Sequence, residues 1–144
     1  MGLKEDLEAA KSARVQPKVV DIVVNDTLYG VEVKRLDGME WAAIMAECPP
    51  DAQSVRLGYD AQKAALVASC RHGRLLDAGG EQILTLGVDE EGTPVPVDWD
   101  AIFAAISGVE VQAIAGLWWG MNVGDPNQRV VALKKASAGG SATS

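Results

Sequence analysis

Apolar residues change their spacing several times along the chain, and each change marks an element. Leu3, Leu7 and Ala10 recur at helical intervals among Lys4, Glu5, Glu8 and Lys11, predicting a short helix over 3–14 with a thin apolar stripe. Val- and Ile-rich runs follow at Lys18–Val24 and Leu28–Leu36. The second alternates, with Tyr29, Val31 and Val33 on one face and Gly30, Glu32 and Lys34 on the other. The two runs read as a β-hairpin turning at Asn25-Asp26-Thr27. A lone hairpin is marginal in water, so its apolar face must lie on helices or on a second chain.

Helical spacing returns after Asp37, which stands three residues before Glu40 as in a capping box. That helix presents Trp41, Ile44, Met45 and Cys48, and Pro49-Pro50 stops it. Asp60 caps a second helix running to about His72, with Ala64, Leu66, Val67 and Cys70 apolar and Gly73 at its end. Residues 77–97 are turn-rich. Ile83, Leu84 and Leu86 suit a short strand, Asp89 to Gly92 a turn, and Pro94 and Pro96 confine any return strand to an edge.

Asp98 caps a helix carrying Trp99, Ile102, Phe103 and Ile106, broken at Ser107-Gly108. A helix over about 109–122 follows, with Val111, Ile114, Trp118 and Met121 on one stripe. Trp119 lies about 100° around from Trp118, so the two rings cannot share one groove. Gly124-Asp125-Pro126 ends that helix and starts another bearing Val130, Val131 and Leu133. The last nine residues hold nothing larger than Ser or Thr. They bury too little to offset their ordering entropy, which predicts a disordered tail.

These elements predict an α+β fold in which an N-terminal β-hairpin packs on a bundle of four to five short α-helices. Residues 1–17 form a mobile arm, 18–135 a single domain and 136–144 a flexible Gly/Ser/Ala tail. At 144 residues, with 48% hydrophobic and 23% charged content, the chain is long enough for one real core. A net charge of −7 with scattered cations argues against a nucleic-acid partner. No apolar run is long enough for a membrane span, and the charged N-terminus lacks the apolar segment of a signal peptide.

Chemistry-bearing patterns are weak. His72 is the only histidine, so no zinc site with the usual ligands can be assembled. Asp89-Glu90-Glu91 lacks the EF-hand pattern and reads as a solvated turn. Gly79-Gly80 lacks phosphate-loop spacing, and no GxSxG elbow is present. Cys48 and Cys70 read as buried, reduced thiols. No catalytic, cofactor-binding or metal-binding residue is expected.

The order of several short motifs carries more. A hairpin precedes Glu40-Trp41; Cys48-Pro49-Pro50 is followed by Leu57-Gly58-Tyr59-Asp60 and by the run from Ala64 to Cys70. Val97-Asp98-Trp99-Asp100 then precedes an apolar helix, and Asn122, Asp125-Pro126, Gln128-Arg129 and a Lys-Ala-Ser-Ala-Gly-Gly tail close the chain. From about residue 19 onward this layout resembles the tail assembly chaperones of long-tailed (siphovirus) bacteriophages, especially those of actinobacterial hosts. The adjacent Trp118-Trp119 pair departs from the more varied apolar residues of that family.

The resemblance implies no catalysis. It implies a protein that binds the long, helical tape measure protein, keeps it soluble and helps recruit tail tube protein. Such a protein works in the host bacterial cytoplasm and leaves before the virion matures. It also implies a longer frameshifted form of the same chain, for which Lys134-Lys135 marks a place where the ribosome can slip. The alternative is a structural virion subunit, such as a small tail or head–tail connector protein. Trp41, Met45, Trp118, Trp119 and Met121 are the partner-binding candidates, since aromatic and Met side chains give adaptable apolar contact. A homo-oligomer is expected, because the hairpin edge and the thin first helix leave apolar surface uncovered.

Overall fold

The computed structural model describes residues 2–13 and 15–142. Strands β1 (Lys18–Val24) and β2 (Thr27–Val33) form the predicted hairpin, and β3 (Arg74–Leu76) adds to the far side of β2. The sheet is antiparallel throughout, in the order β1-β2-β3. Val24 pairs with Thr27, which leaves Asn25 and Asp26 as a two-residue turn with φ of 49° and 61°. Positive φ at both central positions is the hairpin turn whose twist matches the strands, and Asn and Asp tolerate it best after Gly. β3 escapes prediction because three residues are too few for alternation to show.

Period-two geometry sorts the sheet into two faces. Ile22, Val31, Val33 and Leu75 point to one face and are buried in the main core. Helices α2 (Gly38–Glu47), α3 (Ala61–His72), α4 (Trp99–Ala105) and α5 (Gly108–Trp119) contribute much of the rest of that core, with Leu36, Cys48, Tyr59, Ile106 and Met121 from the segments that join or follow them. Each has a side-chain cap. Asp37 and Glu40 make the reciprocal capping box at 2.8 and 3.2 Å, Asp60 accepts from the Lys63 amide at 3.2 Å, and Asp98 from that of Ala101 at 3.1 Å. Ser107 and Glu110 form a second box, so the predicted break at Ser107-Gly108 is also the start of α5.

Helix α5 lies between α3 and the sheet. The face of α3 within the core is Ala64, Ala65, Ala68 and Ser69, all buried. Small residues bring the helix axes close and leave a slot for the Trp118 ring, whose Nε1 donates to Ser69 Oγ at 3.2 Å. At the other end of α5, the Glu110 carboxylate accepts from the Val23 amide at 2.7 Å, pinning the helix start to the outer strand. Glu47–Arg71 and His72–Glu40 contacts join α2 to α3.

The chain beyond α5 differs from expectation. There is no break at Gly124-Asp125-Pro126; a π-turn (Gly120–Gly124) carries the coil into α6 (Asp125–Ala142). In a regular helix the Pro126 ring would crowd the carbonyl of Asn122 and withhold a donor from it. The wider turn, closed by Asp125 N–H donating to the Gly120 carbonyl, lets the proline pass. Asn122 secures this point: its Oδ1 accepts from the Leu36 amide at 2.8 Å, and its Nδ2 donates to the carbonyls of Trp118 at 3.0 Å and Lys34 at 3.3 Å.

The predicted disordered tail is corrected over residues 136–142, which are helical; residues 143–144 lie outside the described residues. Burial was the wrong criterion, since an established helix extends by one hydrogen bond per added residue. The expectation that this end does not pack holds, because every residue from Asn127 to Ala138 is exposed. The first helix, α1 (Leu3–Ser12), buries nothing, and Arg14, at its expected end, is outside the described residues.

Ser69→Ala leaves the buried Trp118 N–H without an acceptor. It should cost about 1–3 kcal/mol in urea unfolding, with the m-value unchanged. The Glu110 carboxyl sits below its usual range, held there by the Ser107 amide first and the Val23 amide second. Its folded value is therefore lower than its unfolded one. The contribution is complete above the unfolded value of about 4.3 and disappears as pH falls through the folded value. Glu110→Gln should flatten the acid limb of the stability–pH curve below about pH 4.5; a limb as steep as in the parent would refute this.

Candidate interaction surfaces

Two of the acidic groups that suggested chemistry in the sequence are consumed by their own turns. Asp89 Oδ1 accepts from the amides of Glu91 and Thr93, both at 2.9 Å, and Asp77 Oδ1 accepts in the same way from Gly79 and Glu81. Gly92 and Gly80 take the positive φ each loop requires, at 80° and 85°. Asp89-Glu90-Glu91 is thus the tip of a hairpin, and Gly79-Gly80 belongs to a turn of the same design. Among the described residues no group of three or more His, Cys, Asp or Glu could hold a metal ion. Cys48 is buried, which pushes its thiol up; Cys70 is exposed, contrary to expectation, because it lies on the solvent side of α3. A depression beside Gln62, Val109, Val111 and Gln112 gathers no titratable side chain.

Among the described residues, four elements or faces expose groups of apolar side chains. α1 carries Leu3 and Leu7 into solvent. Strands β4 (Thr85–Val88) and β5 (Pro94–Pro96) form a separate two-stranded ribbon that packs substantially only on itself. Leu84, just before β4, and Leu86 and Val88 on it are 72%, 51% and 67% exposed. α6 exposes Val130, Val131 and Leu133. Finally, the sheet face turned away from the helices shows Val19, Val23 and Leu28, each about half exposed.

The five predicted contact residues divide. Trp118 (1% exposed), Met121 (2%) and Trp41 (6%) are core residues, out of a partner's reach in this conformation. Trp118 fills the slot beside α3, and Trp41 meets Tyr59 edge to face with ring centroids 5.8 Å apart. Met45 is half-buried against the core. Trp119 alone is substantially open, at 38%. Its ring folds back over the π-turn, where a Cβ on Gly124 would come within 2.6 Å of it. The expectation that the two tryptophans face different ways is met. The surfaces the sequence reading overlooked are the ribbon, α6 and the outer sheet face. The alternation of Leu84, Leu86 and Val88 was the available signal.

No helix among the described residues is long and apolar enough to cross a membrane. No protein-family model, no curated protein and no solved structure matches the chain.

Gly124→Ala should displace the Trp119 ring, shift its fluorescence to the red and cost about 1–3 kcal/mol. In a Trp119→Ala background the same substitution should cost much less. Equal costs in the two backgrounds would show that the ring is not what the glycine accommodates.

Proposed function

We propose that this chain is a tail assembly chaperone of a long-tailed bacteriophage. It holds the tape measure protein soluble in the host cytoplasm, helps bring tail tube subunits to it and is left out of the finished virion. The observation that carries this reading is the separation of a closed core from projecting elements that bear apolar side chains. α1, the β4–β5 ribbon and α6 contribute little to the main core, so they are free to exchange partners without unfolding the body. Each offers two or three Val or Leu side chains, and full burial of such a side chain is worth about 1.5–3 kcal/mol. Contacts of that size hold a long apolar helix through many copies and still release it one copy at a time. The ordered motifs from Glu40-Trp41 to the Lys-Ala-Ser-Ala-Gly-Gly run support the same family.

α6 also suits a longer, frameshifted product, because Lys134-Lys135 sits on a helix directed away from the body. Sequence appended after it would begin clear of the core. The projecting ribbon and helix equally favour a second reading, a structural subunit whose arms interlock in a virion ring. The two readings differ in where the protein ends up.

Co-expression with fragments of a candidate tape measure protein should move those fragments into the soluble fraction and recover a complex on purification. Fragments that stay equally insoluble with and without the chain would remove the chaperone reading. Finding the chain at fixed stoichiometry in purified particles would select the virion subunit instead.

A further inference from the structure

We infer that α6 of one copy docks on the outer face of the sheet of a second copy, joining chains head to tail. The receiving surface is a built hollow. Val19 and Leu76 meet across Gly30, where a Cβ would lie 2.7 Å from Val19 Cγ1. Only glycine lets Val19 lie over the strand there. With Leu28 they line a shallow cavity of about 130 Å³, flanked by Asp21 and Asp77. The other charged pair on this face, Glu32 and Arg74, is self-neutralising at 3.3 Å. The face is therefore apolar at its centre and acidic at its margin.

Charge selects the occupant among the unpartnered elements. The ribbon ends in Asp89, Glu90 and Glu91, and α1 carries Glu5, Asp6 and Glu8 against two lysines. α6 has Arg129, Lys134 and Lys135 against the single acid Asp125, on a chain of net charge −7. Val130 and Leu133 lie on adjacent turns of α6, with Lys134 and Arg129 on either side of that stripe by helical geometry. An apolar stripe with basic shoulders matches an apolar hollow with acidic margins. Lengths agree as well, since 18 helical residues span about 27 Å and seven strand residues about 23 Å.

The occupant is a second copy because the chain's own α6 faces the wrong way. α5 covers the inner sheet face with Ile114 and Trp118, and α6 continues that coil out of the body. A helix cannot turn back around the sheet edge to the opposite face. Such a contact joins two different patches, so it closes into a ring or extends as a filament. The inference stands apart from the tape measure reading and is tested on the purified chain alone.

Sedimentation of the wild-type chain should show self-association that weakens as salt is raised. Val130→Gln/Leu133→Gln on the helix and Val23→Thr/Leu28→Thr on the sheet preserve local propensity, and circular dichroism checks that both fold. Each should associate at least tenfold more weakly. Mixed in equal amounts, they retain one intact helix and one intact face between them, so they should form heterodimers and stop there. Asp21→Lys should also weaken association and reduce its salt dependence. A wild-type chain that stays monomeric at millimolar concentration would overturn the inference, as would a helix variant that associates like wild type. A mixture that fails to pair when both variants are folded would do the same, as would a sheet variant that associates like wild type, which would point to symmetric α6–α6 contact.

Discussion

One buried hydrogen bond sets the spacing of the core. Trp118 brings the largest fully buried side chain to the junction of α3, α5 and the sheet, and its single polar atom finds an acceptor there. Ser69 supplies it only because α3 approaches closely, which its row of buried alanines permits. A larger residue at Ala65 or Ala68 would push the helices apart and strand both the indole N–H and the hydroxyl. The chain has few aromatics, so its packing depends on placing this ring well rather than on bulk.

The same helix turns a local difficulty into the geometry of the whole chain. Pro126 ought to end α5 near Asn122, and the π-turn allows the coil to continue. Asn122 takes up the disturbed Trp118 carbonyl and, through Leu36 and Lys34, fixes the exit of the hairpin to the same place. Sheet, core and projecting helix are thus referenced to one side chain. Trp119, folded over Gly124, screens the outside of that turn.

Much of this was legible in the chain. The caps at Asp37, Asp60 and Asp98 and the Asn25-Asp26 turn follow from local chemistry, and all four form. Three things were not legible, for physical reasons. β3 is too short to alternate. A Gly-Asp-Pro sequence reads as a stop, because a π-turn has no sequence signature of its own. The Ala- and Gly-containing tail looks disordered when only burial is weighed, whereas intrachain hydrogen bonds carry α6 to Ala142. The contact residues suffered from a related ambiguity. Large side chains such as Trp41, Trp118 and Met121 suit a partner and a core equally well in sequence, and a core with few other aromatics claims them first.

What the core claims decides what is left for others. Once the large side chains are enclosed, contact with a partner falls to Val and Leu on thin elements: two on α1, three on the ribbon and three on α6. Interfaces built this way gain strength by repetition, not by a single anchoring pocket. A chain joined to its neighbours through α6 and the outer sheet face would still present α1 and the ribbon, because neither belongs to that contact. Self-association would then take α6 out of the proposed capture of a long apolar helix and leave that capture to α1 and the ribbon. Under the proposed function, an array of copies would multiply weak ribbon and arm contacts along a client, each small enough to be displaced when tube subunits arrive.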